Sequence, residues 1–255
     1  MKRTNILFSL LVICLMAGSI YSQPKLTINV VGGYSAPLQD FKLYDFTGDI
    51  MKDTVPENFP YKMKTGFSFG VDGKLAIGKK GNFRVVFGAM YNMFSNSGTI
   101  NDSAAGTYTL KLKMHVLTIS LGGEWAFMPS KHKINPFVGL DITGNFFGGT
   151  ITPQTNGVDT YKSETRIGIQ PGAGIDFVLS KQVGAVLGVK YHLMNLIGAG
   201  ADDPSQVAPN EVDLGDKPHT LADGTTSTSK HLSYFQVYAG VSFYFGAPKT
   251  STMKK

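Results

Sequence analysis

A single cysteine, Cys14, stands in 255 residues, so the chain can build neither a disulfide framework nor a thiol-based zinc site. Charge is sparse as well. Asp, Glu, Lys and Arg together make up 16% of the chain, against about 25% in soluble globular domains. Past residue 22 no stretch approaches the roughly 18 consecutive apolar residues of a membrane-crossing helix. No glycine-rich phosphate loop is present, because GAGAD (198–202) lacks the strand and helix that such a motif requires. The formal charge is only +6 and no nucleic-acid motif occurs, so nucleic acid is not an expected partner. What the chain does have is 30 glycines without a collagen period, and 11% aromatic residues. That aromatic content excludes disorder. Low charge, abundant glycine and many rings point to an all-β protein in an unusual solvent.

The N-terminus reads as an export signal. Lys2 and Arg3 precede a 12-residue apolar core, Ile6 to Ala17, and small residues follow at Ala17, Gly18, Ser19 and Ser22. Cleavage is expected after Ser22, with Ser19 as the other option; a retained anchor is opposed by the shortness of the core. Cys14 lacks the small residues that should precede a lipidation site. Removing these 22 residues of 255 leaves 233 residues with a charge of +4 and no cysteine.

The remainder alternates apolar and polar residues with a period of two. Eight segments do so: 25–34, 64–78, 83–94, 107–127, 136–147, 165–179, 183–196 and 231–246. In the second, Phe67, Phe69, Val71, Leu75 and Ile77 share one face, and Ser68, Gly70, Asp72, Lys74 and Ala76 the other. The fourth changes phase near Met114 to Val116, which suggests a bulge. Connections 79–82, 128–135 and 180–182 are tight; 35–63, 95–106, 148–164 and 197–230 are long and polar. Short turns alternating with long loops, over an even number of long strands, are the pattern of a transmembrane β-barrel. Lipid tolerates no open sheet edge, so such a sheet must close.

Two features set the expected orientation. The apolar face carries rings near both ends: Phe83, Trp125, Phe127, Phe177, Phe243 and Phe245 toward the turns, and Tyr34, Tyr91, Phe146, Tyr191 and Phe235 toward the loops. Aromatic girdles of this kind belong at membrane interfaces. The opposite face mixes glycines (Gly70, Gly88, Gly122, Gly139, Gly168, Gly172, Gly174, Gly188 and Gly240) with charged residues. An eight-stranded barrel has an interior only wide enough for side chains, and glycine makes room there. A soluble, lipocalin-like barrel with the faces reversed is the alternative.

The runs GGYSAPLQDF (32–41), INPFVGLDITGN (134–145), RIGIQPGAGIDFVLSKQVGAVLGVKYHL (166–193) and YFQVYAGVSFYF (234–245) resemble the small outer-membrane β-barrel family of OmpA/OmpX type. The resemblance implies an eight-stranded antiparallel up-and-down barrel over 23–246, set in the bacterial outer membrane among lipid and lipopolysaccharide. The last strand, ending at Phe245, is similar to the aromatic terminal strand read by barrel assembly machinery. This chain departs from the pattern in its tail, 247–255, too short for a peptidoglycan-binding domain.

The inward face offers Asp72, Lys74, Arg84, Glu124, Asp141, Asp176 and Lys190, with His192 nearer the loops. Charges taken from water must be paired, so a salt-bridge network plugging the lumen is expected, with a narrow ion or water path as the alternative. Candidate catalytic groups, His115, His192, His219 and His231 with Ser95, Ser97 and Ser233, do not converge by strand parity. The acidic residues of 197–230 (Asp202, Asp203, Glu211, Asp213, Asp216 and Asp223) match no calcium-loop spacing and read as a solvated loop. Loop 35–63 is apolar enough, at Phe41, Leu43, Tyr44, Phe46, Ile50, Met51 and Phe59, to fold over the mouth as a cap, with an apolar patch offered to a partner as the alternative. These readings favour a non-enzymatic barrel without metal or cofactor, its structural, adhesion or interaction role carried by loops 35–63 and 197–230. A narrow porin-like pore is the alternative, and a lipid-modifying enzyme a further one.

Overall fold

A computed structural model describes residues 26–42, 63–78, 81–102, 106–128, 133–153, 159–198, 200, 211–212, 214–218 and 229–246, with backbone only for 99–102, 106–108 and 153. The expected signal segment 1–22 and tail 247–255 lie outside the described residues. So do Leu43, Tyr44, Phe46, Ile50, Met51, Phe59, Asp202, Asp203, Asp213, His219 and Asp223.

Eight long strands form the wall: β1 (Leu26–Gln39), β2 (Thr65–Ile77), β3 (Phe83–Asp102), β4 (Gly106–Ala126), β5 (Ile134–Pro153), β7 (Glu164–Val178), β8 (Val183–Ile197) and β10 (Leu232–Phe245). Two short strands among the loops, β6 (Asp159–Tyr161) and β9 (Glu211–Val212), are not foreshadowed by the alternation. Each wall strand pairs antiparallel with both neighbours, and β1 pairs with β10, so the sheet closes without an edge. The tight turns lie at the end holding Leu26 and Phe245. Gly78 (φ 81°) and Gly81 (φ 63°) make the β2–β3 turn, where a Cβ would be strained.

The apolar face points outward. Phe67 is 61% exposed, Phe69 55%, Leu140 55% and Ile142 64%, while Lys74 and Glu124 are at 3% and 4%. A water-soluble fold would reverse these values. Glycine on the inner face lets opposing groups approach: a Cβ on Gly122 would meet the Leu140 carbonyl and Asp141, and one on Gly188 would lie 2.5 Å from the Tyr238 ring.

Strands β3 and β5 reach 20 residues each, well past the segments 83–94 and 136–147 expected from alternation, while β4, at 21 residues, matches its expected 107–127 within one residue. The pairing of β4 with both neighbours runs unbroken through Met114 to Val116, so the expected bulge is absent there. The register break lies instead between β7 and β8, around Ile167 and Ile169. What changes along β4 is the solvent. Leu117, Ile119 and Leu121 face outward, where Thr118 and Ser120 are buried. Two residues further toward the loops, Val116, Met114, Leu112 and Leu110 are buried while His115, Lys113 and Lys111 are exposed. The wall leaves lipid and becomes an ordinary apolar-in, polar-out barrel. The polar outward residues of this extension give 95–106 the composition of a loop, although most of it is paired strand.

Candidate functional site: a lumen filled in layers

Nearest the turn end, β3 and β4 place Arg84 directly opposite Glu124. Lys74 from β2 and Asp176 from β7 reach the same point from other parts of the wall. Lys74 Nζ lies 2.9 Å from Glu124 Oε2 and 3.1 Å from Asp176 Oδ1. Arg84 Nη1 donates to Glu124 Oε1 at 2.8 Å and to Asp176 Oδ2. Each carboxylate therefore bridges both cations, and the quartet is neutral. The Lys74 ammonium also sits 3.7 Å from the centre of the Phe137 ring, a favourable cation–π contact. Neutrality and multiple hydrogen bonds are what make four buried charges tolerable.

The other three charges expected inside, Asp72, Asp141 and Lys190, take their hydrogen bonds and ion pairs from groups outside the quartet. Asp72 accepts from Asn29 Nδ2 at 2.6 Å. Asp141 accepts from Gln170 Nε2 at 2.7 Å and lies 3.7 Å from Lys190 Nζ. The void between these groups and Tyr238 is about 20 Å³, little more than the 10–15 Å³ or so that one water occupies.

A neutral polar ring follows. Thr118 Oγ1 donates to Asn145 Oδ1 at 2.9 Å, and Asn145 Nδ2 donates to Thr143 Oγ1 at 3.0 Å and the Met194 carbonyl at 2.9 Å. His192 Nε2 lies 3.1 Å from Gln236 Oε1, and the His192 ring stacks on Tyr234 at 4.1 Å. Above it comes an apolar stopper: Phe94, Met114, Phe147, Met194 and Tyr234 from the wall, joined by Phe41, Met63, Tyr161 and Leu214 from the loops. The Phe41 and Phe94 rings meet edge-on at 4.7 Å. Phe41, the one described member of the apolar set expected to cap the mouth from loop 35–63, is buried in this stopper. Burial pushes the Tyr161 phenol well above its ordinary pKa.

The middle of the expected solvated acidic loop is instead locked into the stopper. Arg166, 1% exposed, donates from Nε to Asp216 Oδ2 at 3.0 Å, and from Nη2 to the Leu214 carbonyl. Asn195 Nδ2 donates to Asp216 Oδ2 at 2.6 Å, and Lys230 Nζ to the Gly215 carbonyl at 3.1 Å. Thr160 and Tyr161 of β6 pair in parallel with Glu211 and Val212 of β9. Asp216 is buried because a cation inside the wall claims it. Arg166 shares its inward parity with Gly168 and Gln170, so the two-residue period of the strand itself places this cation inside the wall.

The other candidates occupy structural positions. His115 faces outward, its ring stacked on Tyr91 at 5.7 Å. Ser233 Oγ donates to Gln39 Oε1 at 3.1 Å, and the His231 amide donates to Asp40. Among the described residues no group of three His, Cys, Asp or Glu could hold a metal. Of the ring residues, Tyr34, Phe83, Trp125, Phe127, Phe146, Phe235, Phe243 and Phe245 are exposed, and Tyr91, Phe177 and Tyr191 are half-buried. Phe83 to Met93 and Trp125 to His115 each cover ten residue steps. At about 3.3 Å per step and a tilt near 40°, that is roughly 25 Å, the height of an outer-membrane apolar band.

No family model matches the chain, and no curated protein does. Among solved structures the chain is similar to Neisserial surface protein A, at 13% identity over 87% of this chain and 97% of that one, with a TM-score of 0.47. It is similar to the outer membrane protein OprG from Pseudomonas aeruginosa at 12% identity, 89% and 99% coverage and a TM-score of 0.45. For Ail, the attachment invasion locus protein of Yersinia pestis, solved with the heparin analogue sucrose octasulfate, the values are 8%, 87%, 99% and 0.41. Likeness at this level carries no role across. The greasy outer wall, the closed ring of strands and the filled axis together make the chain an eight-stranded antiparallel transmembrane β-barrel.

Proposed function

We propose that the protein sits in a bacterial outer membrane with its long-loop end outside and acts through that end. The role is structural, adhesive or interactive, without catalysis or conduction. The observation that carries this is the three-layer filling of the lumen: a neutral charge quartet, with a void of only about 20 Å³ beside it, is followed along the axis by a polar ring and an apolar stopper. Wide aqueous channels need about 16–18 strands. The work of the barrel is then to hold its outer rim, where β6, β9 and residues 214–218 are tied to the wall. The rings at Tyr34, Tyr91, Phe146, Tyr191 and Phe235 anchor one interface, and those at Phe83, Trp125, Phe127, Phe177, Phe243 and Phe245 the other. The exposed Phe245 closing β10 offers the assembly machinery an aromatic end.

Planar-bilayer recording tests this directly. The wild type and Arg84→Ala are both expected to be silent, because the apolar stopper remains when the quartet is broken. Stepwise conductance in the wild type would replace this reading with a pore. Altered lipid acylation in cells overproducing the protein, measured by mass spectrometry, would replace it with an enzyme.

A further inference from the structure

The outer wall carries a basic cleft where its apolar belt stops. Lys64, Lys111 and Lys113 line it with the hydroxyls of Thr65, Ser95 and Ser97, and its volume is about 270 Å³. Among the described residues no carboxylate lines it. Its construction follows from register: Ser95 stands opposite both Thr65 and Lys113, and Ser97 opposite Lys111. On the other side of β4, Thr150 and Thr152 face Lys113 and Lys111. Two lysines therefore project from one face of one strand, two residues apart, and the cross-strand positions on both sides supply hydroxyls and no anion. Like charges so placed oppose each other unless a counter-charge arrives from outside the sheet.

Depth decides what that counter-charge is. Leu117 is the last apolar residue on the outer face of β4, and His115, stacked on Tyr91, marks the interface. Lys113 and Lys111 follow one and two dyad steps later, about 7 and 13 Å further along the strand. That is the headgroup layer. Lysine ammonium groups bind phosphate as compact point charges, and hydroxyls complete the donor set for phosphate oxygens.

We propose that this cleft binds the phosphorylated headgroup of an outer-leaflet lipid, with Lys111 and Lys113 on the phosphate and Ser95 and Ser97 donating beside them. The inference rests on the membrane placement above. Detergent-purified protein is titrated with bisphosphorylated lipid A, and retention is read by native mass spectrometry, with dephosphorylated lipid A and inorganic phosphate as the other probes. Two surface lysines contribute about fivefold each, so Lys111→Gln/Lys113→Gln is expected to weaken retention about 25-fold. Lys111→Arg/Lys113→Arg is expected to preserve it. Equal retention by the glutamine variant, or of the dephosphorylated lipid, would overturn the proposal. Displacement of lipid A by equimolar inorganic phosphate would assign the cleft to free phosphate and overturn the lipid assignment. Failure of the membrane placement shows separately, as a detergent-independent soluble protein whose gel migration is the same before and after boiling.

Discussion

Glu124→Gln tests the quartet with minimal change of shape. The glutamine keeps the volume and one acceptor oxygen but removes a charge that lies 2.9 Å from Lys74 Nζ and 2.8 Å from Arg84 Nη1. Lys74 and Arg84 are then left with Asp176 alone, and the buried cluster carries a net positive charge. At an effective dielectric of about 20, each lost contact is worth roughly 6 kcal/mol of attraction. The relief of carboxylate desolvation offsets most of the sum, and removing one partner of a buried pair costs about 3–5 kcal/mol net. The assay is urea unfolding of protein inserted in lipid vesicles, followed by the fluorescence of Trp125, the one tryptophan in the chain, and checked by gel migration before and after boiling. The decisive comparison is the double variant Glu124→Gln/Lys74→Met. It restores neutrality by leaving the Arg84–Asp176 pair, so it is expected to be no less stable than Glu124→Gln alone, with a coupling of about 2–3 kcal/mol. A loss below about 1 kcal/mol in the single variant, or strictly additive losses in the double, would refute the claim that this is a desolvated, mutually dependent cluster.

Three further outcomes are expected. In vesicles, Trp125, 51% exposed on the outer wall, should be quenched more strongly by lipids labelled near the headgroup than by lipids labelled at the chain end; quenching by aqueous iodide instead would mean that the faces are reversed. Asp216→Ala strips the Arg166 guanidinium of its buried carboxylate, so the 211–218 segment should open at a cost relieved by about 3–5 kcal/mol. Proteinase K should then cut it at least about 100-fold faster while the barrel keeps its folded gel band; unchanged cleavage would show that the tie does not hold the segment. Gly122→Ala should cost at least about 1–3 kcal/mol, because the new methyl meets backbone at Leu140 and Asp141. Gly144→Ala, which meets only the Phe146 ring at 3.7 Å, should stay within about 0.5 kcal/mol of the parent, and equal effects at the two sites would undo the account of inner-wall glycines.

The two-residue period, the placement of rings and glycines on opposite faces, and the alternation of short and long connections are local features, and they suffice for eight strands, closure and an apolar exterior. Arg84 opposite Glu124 is nearly as legible, since both sit four or fewer residues from tight turns or strand ends in adjacent segments. The meeting of Lys74 with Asp176, 102 residues apart, depends on the tilt and stagger of a closed sheet, which no local pattern encodes. The same holds for Asp216, whose carboxylate looks solvated until the wall brings Arg166 beneath it. The clearest divergence is in β4. Apolar residues move from odd positions at Leu117 and Ile119 to even positions at Leu112 and Met114, and along the chain an inserted bulge residue would produce the same shift. Only the tertiary structure distinguishes them: the backbone continues unbroken, and the solvent outside it changes from lipid to water, so the side that must be apolar changes with it.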